Sequence, residues 1–210
     1  MGVKAGGCDS GHGSRYNTGS MLIDKYIPTA EFHDYHEARV RAEPERAYAA
    51  LRDLDMMKSP MIRALFALRT IPSRSRSSAL SQATATKPAS FVQMSLDAGM
   101  VIFEEIPGQE LVAGCVTKPW QPIVKFLGLP APEFIAFREP GFTKIAWNIA
   151  VAPAGPGYSL VSTETRIAPT DAGSRRKFRL YWFVFSPGIR LIRRIALRLL
   201  KLELDSGRAI

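Results

Sequence analysis

Cysteine is scarce in this sequence: Cys8 lies in a glycine-rich tail and Cys115 in a predicted strand. Neither belongs to a C-x-x-C pair or a Cys/His cluster, so the ligand spacing of a structural zinc site is missing and no metal is assigned. Two isolated thiols fit a reducing compartment, and a cytoplasmic location is expected. Long apolar runs are missing too. The first twenty residues, MGVKAGGCDSGHGSRYNTGS, lack the apolar core of a signal peptide, and Gly6 stands where a myristoylation signal wants Ser or Thr. Residues 1–20 read as a disordered tail, and 21–210 as one domain. The longest uncharged run near the C-terminus, LYWFVFSPGI (180–189), is followed at once by Arg190, Arg193, Arg194 and Arg198. A bilayer span needs roughly 20 mostly apolar residues. Each arginine within it costs about 2.5–3.5 kcal/mol, so a transmembrane reading is rejected. There is no G-x-S-x-G elbow, no P-loop and no G-x-G-x-x-G, and no cofactor is assigned. No helix-turn-helix, zinc or RNA-recognition signature accompanies the arginines, so nucleic acid is not expected as a partner. The oligomeric state is left open.

What is present is enough apolar residue for a core: 46% of the chain is hydrophobic and 22% charged, near the soluble average. The net charge of +9 is unevenly placed, because residues 171–210 hold ten Lys and Arg against three acids.

Along the chain, DYHEARVRA (34–42) alternates as a strand, and EPERAYAALRDLD carries Pro44 at a helix start with Ala47, Leu51 and Leu54 at helical spacing. A second short helix is predicted at 60–71 with Ser59 as its cap, followed by a polar loop over 73–90. FVQMSLDAG reads as a short turn. MVIFEEI (100–106) and ELVAGCV (110–116) form a hairpin around Pro107-Gly108-Gln109. EFIAFRE (133–139), FTKIAWNIAVA (142–152) and YSLVSTETRIA (158–168) read as strands, and Thr170 or Asp171 caps a final helical region. Strands gathered between helices favour α+β, since parallel sheets need a helix between strands.

On a helical wheel, Ile189, Ile192, Ile195, Ala196, Leu199, Leu200 and Leu202 share one side and Arg190, Arg193, Arg194, Arg198 and Lys201 the other. Phe183 and Leu197 fall on the basic side, and three readings stay open: loops cover them, they make a weak contact with anionic membranes, or they meet a partner. Pro187 removes a backbone bond, and a kink or break is expected there.

The strings HEARVRAEPERAYAALRDLD, AWNIAVAP, LVSTETRIAPTD and RRKFRLYWFVFSPGIRLIRRIALR resemble the START-like, helix-grip (SRPBCC) superfamily, and within it the uncharacterised bacterial members. The resemblance runs from residue 34 to about 203. It implies a curved antiparallel sheet wrapped around a long C-terminal helix, two short helices after the first strand, and a hydrophobic cavity between sheet and helix. Members bind lipids, sterols, polyketides or plant hormones, and some are cyclases.

Alternation places Ile145, Trp147, Ile149 and Val151 on the helix side of their strand, with Val161, Thr163 and Thr165 beside them if the register is even. The expected ligand walls are Trp147, Ile149, Val161, Thr163, Thr165, Tyr181 and Phe185, and the expected partner is a hydrophobic small molecule. In the same register Glu164 faces outward and pairs with Lys144 or Arg166. A one-residue bulge would instead turn Glu164 and Asn148 into the cavity, where with His36 they are candidates for acid–base work in a cyclase or dehydratase. His33 and His36, three apart, do not share a strand face.

Overall fold

In the computed structural model the described residues are 21–63 and 90–206. The expected tail 1–20, residues 64–71 of the expected 60–71 helix and the polar loop up to residue 89 lie outside them. A 3-10 turn, Leu22–Lys25, leads into β1 (Phe32–Val40). Then follow α1 (Pro44–Arg52), a 3-10 turn at Met56–Lys58 and helical backbone from Pro60 to Arg63. The Ser59 hydroxyl accepts from the Ile62 amide at 3.4 Å and caps that start. After Ser90 come α2 (Phe91–Asp97), β2 (Val101–Ile106), β3 (Glu110–Thr117), the two-residue β4 (Phe126–Leu127) and α3 (Ala131–Ala136). The chain closes with β5 (Thr143–Pro153), β6 (Ser159–Pro169) and α4 (Ala172–Asp205).

The fold is α+β: a curled, open, six-stranded antiparallel sheet in the order β1-β6-β5-β3-β2, with β4 on β3 and the long helix α4 across one face. The hairpins are set by turn chemistry. Gly108 (φ +79°) closes β2–β3, and Gly155 (φ +103°) and Gly157 (φ +71°) close β5–β6. Asp171 starts α4 by accepting from the amides of Gly173 (2.7 Å) and Ser174 (3.0 Å). The same carboxylate accepts from the Ser174 hydroxyl and from the Gly141 amide, which together hold its acid well below the usual carboxylate range, and the second bond ties the helix start to the β5 turn.

Three expectations about elements are corrected. FVQMSLDAG is not a turn but helix α2, whose first turn is capped by the Ser90 hydroxyl accepting from the Gln93 amide at 3.1 Å. EFIAFRE is not a strand. Its first half belongs to α3, which Pro130 and Pro132 start and whose one buried side chain is Phe134. Pro187 does not break α4, which is helical on both sides of it. The ring removes one amide donor, but packing of Phe178, Leu197, Leu200 and Leu204 on either side holds the two halves in phase.

The sheet is buried on both sides. On the helix side, Trp147, Ile149, Val151, Val161, Leu111 and Ala113 pack on α1 and α4. On the outer side, Val112, Val116 and Ala146 are covered by Leu22, Ile23, Tyr26 and Ile27 and by Phe134 of α3. A bulge between Ile102 and Glu104 puts Phe103 and Glu104 both on the outer side, where the Phe103 ring lies against Tyr26 and Phe134 at 4.8 and 4.6 Å between ring centroids. Gly114 makes room for that ring, since a Cβ there would stand 2.6 Å from it and 2.7 Å from the Ile145 carbonyl oxygen.

Candidate functional site

Pairing of β5 with β6 sets Trp147 opposite Thr165, Asn148 opposite Glu164 and Ile149 opposite Thr163, with no bulge. β1 pairs on the other edge of β6, so Asp34 lies opposite Thr165 and His36 opposite Thr163. Alternation therefore delivers Asp34, His36, Thr163, Thr165, Ile149 and Trp147 to the helix side and His33, Asn148, Glu164 and Arg166 to the outer side.

Against this face lies a pocket of about 230 Å³. Its sheet floor is Ile149 and Thr163. Leu51, Leu54 and Met56 come from α1 and the turn after it, Phe91 and Val92 from α2, and Ile189, Ile192, Arg193, Ala196 and Leu197 from α4. The volume exceeds that of an engineered apolar cavity of about 150 Å³ that takes up benzene. The walls are aliphatic or aromatic except at Thr163 and Arg193.

Arg193 is the unexpected residue. The helical wheel put it in solvent, yet its side chain is 11% exposed and points at the sheet. It donates from Nη1 to Thr163 Oγ1 at 2.7 Å and from Nη2 to the Thr165 hydroxyl, and its Nε lies 3.5 Å from Asp34 Oδ2. Burial pulls its pKa down to about 10, with Asp34 and Glu164 acting against the fall, so it stays charged at neutral pH. The sheet side of this pairing, an acid and two threonines on neighbouring strands, explains why a cation is tolerated here. Leu197 is corrected in the same way: it is 5% exposed and lines the pocket rather than facing outward.

Asp34 is 5% exposed and holds Arg190 Nε at 3.4 Å and His36 Nε2 at 3.2 Å. Neither Asp34 Oδ2 nor His36 Nε2 has a well-formed hydrogen bond among the described residues. Burial lowers the His36 pKa, and the positive charges of Arg193 and Arg194 add to this against the pull of Asp34. The folded pKa lies below the ordinary 6.5, so the folded state binds a proton less readily than the unfolded chain. Stability is then full above about pH 6.5 and falls as the pH drops toward the lowered value. Melting temperature measured across this range should fall on acidification less in His36→Gln than in the parent protein.

The structure separates the remaining sequence candidates. Val161 and Trp147 sit in the packed core; the Trp147 indole lies 4.8 Å from the Phe91 ring and donates to Met100 Sδ at 3.4 Å. Tyr181 and Phe185 stack on each other at 4.6 Å in a cluster with Phe178, at the opposite end of α4 from Leu200 and Leu204. Glu164 and Asn148 do not enter the pocket. Glu164 accepts from Arg166 Nε at 2.5 Å and lies 2.8 Å from His33 Nε2, while Asn148 donates to Glu110 Oε1 at 2.7 Å. Among the described residues no group of His, Cys, Asp and Glu could hold a metal ion. No described helix is long and apolar enough to cross a membrane.

Comparisons with known proteins leave the fold to stand by itself. No family model matches the chain, and no curated protein matches it. Among solved structures it is similar to DR_A0006 of Deinococcus radiodurans at 12% identity, over 84% of this chain and 100% of that one, with a TM-score of 0.37. It is also similar to CV1439 of Chromobacterium violaceum at 13% identity, over 82% and 97%, with a TM-score of 0.35. Both were structural genomics targets.

The sequence signal that could have found Arg193 is its placement: it falls between Ile192 and Ala196, next to positions that must face the sheet. Asp34 carries a matching signal, an acid at an inward position of β1 beside His36 and Ala38.

Proposed function

We propose that this chain binds an apolar or amphipathic small molecule, of the lipid or polyketide kind, in the pocket between the sheet and α4, as a START-like, helix-grip protein of the cytoplasm. The observation that carries the reading is the composition of the wall: Leu, Met, Phe, Val, Ile and Ala with polar atoms at Thr163 and Arg193 alone. Such a wall gains from taking up apolar surface, about 25 cal/mol per Å² removed from water, while one charged end fixes orientation.

The test is native mass spectrometry of the purified protein, followed by displacement of an environment-sensitive naphthalene dye. The dye should bind the parent protein and be released by a long-chain fatty acid. Ala196→Trp fills the pocket from α4 and should abolish dye binding; overpacking costs about 1–3 kcal/mol against the usual domain margin of about 5–15 kcal/mol, and a melting curve checks that the variant is folded. Dye binding unchanged in a folded Ala196→Trp protein would remove this reading.

A cyclase or dehydratase is the second reading. One observation favours it: His36 stands beside Asp34 on the helix side of the sheet, its Nε2 3.2 Å from the carboxylate. An imidazole held by a carboxylate is a pairing that general acid–base catalysis uses. Chemical recovery decides between the two, since a binder returns its ligand unaltered and an enzyme does not.

A further inference from the structure

Between Asp171 and Glu203 the chain has no acidic residue, while nine Lys and Arg side chains fall in that interval. Arg193 is used inside the fold, Arg175 pairs with Glu31, and Lys201 with Asp205. Arg176, Lys177, Arg179, Arg194 and Arg198 are exposed and form no ion pair among the described residues. Advancing about 100° per residue from Leu180 places Val184 and Leu191 within 40° of it, and Phe183 60° to the other side. These four are exposed although large and apolar, with Leu180 at 70% and Phe183 at 80%. The stripe runs about 16 Å along the helix, at about 1.5 Å per residue. Arg176 and Lys177 stand at its N-terminal end and Arg194 and Arg198 at its C-terminal end, on the same outward arc.

We propose that this outward face of α4 docks on an anionic lipid surface, with Leu180, Phe183, Val184 and Leu191 entering the headgroup–acyl boundary and the flanking cations resting on lipid phosphates and carboxylates. An apolar strip between two basic ends, lying flat on the molecule, matches the depth profile of a bilayer surface. A protein partner would need acids spaced to meet both ends and an apolar groove between them. A bilayer supplies both without register. Nucleic acid would leave the apolar strip against phosphates. The surface is separate from the pocket, because Ile189, Ile192, Arg193, Ala196 and Leu197 occupy the inward arc of the same helix.

The experiment is co-sedimentation of the full chain with vesicles of phosphatidylcholine, with and without phosphatidylserine, at low and high salt. Recovery is expected on the phosphatidylserine vesicles and should decline steeply with salt, each surface cation contributing about fivefold in affinity. Leu180→Ser with Phe183→Ser, and separately Arg194→Glu with Arg198→Glu, should each weaken binding by more than about tenfold. Both pairs should leave the melting temperature unchanged, since these side chains are exposed. Equal recovery on both vesicles, or recovery on neither, overturns the proposal. So does a dimer in sedimentation velocity that Leu180→Ser with Phe183→Ser dissociates, which would assign the stripe to a second copy of the chain. None of these outcomes bears on ligand uptake by the pocket.

Discussion

Replacing Arg193 with alanine is expected to remove about 3–5 kcal/mol of folding stability, the usual cost of leaving one half of a buried ion pair behind. Asp34 would keep Arg190, but that side chain is 48% exposed and lies 3.4 Å away, so water screens it. Thr165 would lose its described donor, whereas Thr163 would still donate to the Asn148 carbonyl at 2.9 Å. The double variant Asp34→Asn, Arg193→Met removes both charges and should regain most of the loss, because the desolvation cost leaves with them. Urea unfolding of the two single variants and the double measures the coupling directly. Additive losses would mean that the two charges do not sense each other, and that Arg193 is held by the threonines alone.

Removing the chain up to and including Ile27 should be more damaging still. Leu22, Ile23, Tyr26 and Ile27 are each less than 9% exposed and form the lid of the outer core. Burying one such side chain contributes about 1.5–3 kcal/mol, and whole domains are stable by about 5–15 kcal/mol, so losing four approaches the full margin. The deletion also strips polar partners. Glu110, 8% exposed, accepts from the Leu22 amide at 2.9 Å, and Arg166 binds Asp24 at 2.6 Å and the Ile27 carbonyl at 3.0 Å. The shortened protein should lose its near-ultraviolet circular dichroism and cooperative melting. A deletion ending at Ser20 is the control, and on composition should leave the melt unchanged. A cooperative melt within a few degrees of the parent in the longer deletion would show that the outer core closes without its lid.

The strands β2, β3, β5 and β6 and their hairpins were legible because alternation and turn glycines are local signals, written within a few residues. The side on which Glu164 lies was not legible: alternation left an even register and a one-residue bulge both open, and Lys144 and Arg166 both as partners, and only the β5–β6 pairing places it outward beside Arg166. Helix α3 was misread because FIAF alternates weakly by chance; what makes it helical is Phe134 reaching the outer core beside Phe103, a contact across the chain. The polar end of the pocket was hidden for the same reason. Arg193 looks like any cation on a basic helix until Asp34, far away in sequence, is brought opposite Thr165 by the β1–β6 pairing.

By itself the sequence determined the class of fold, an antiparallel sheet with a long amphipathic helix, because backbone periodicity and turn chemistry depend on near neighbours. It also determined the basic character of that helix, since no acid interrupts it from Ala172 to Leu202. The tertiary structure alone decided that the sheet is covered on both sides, that Arg193 and Leu197 turn inward while Leu180 and Val184 stay out, and that Pro187 lies within a continuous helix. The physical reason is that the free energy of burying a charge or an apolar side chain is set by what stands opposite it, and here the opposing groups come from other elements: Thr163 and Thr165 on β6, and Asp34 on β1 at the far end of the chain.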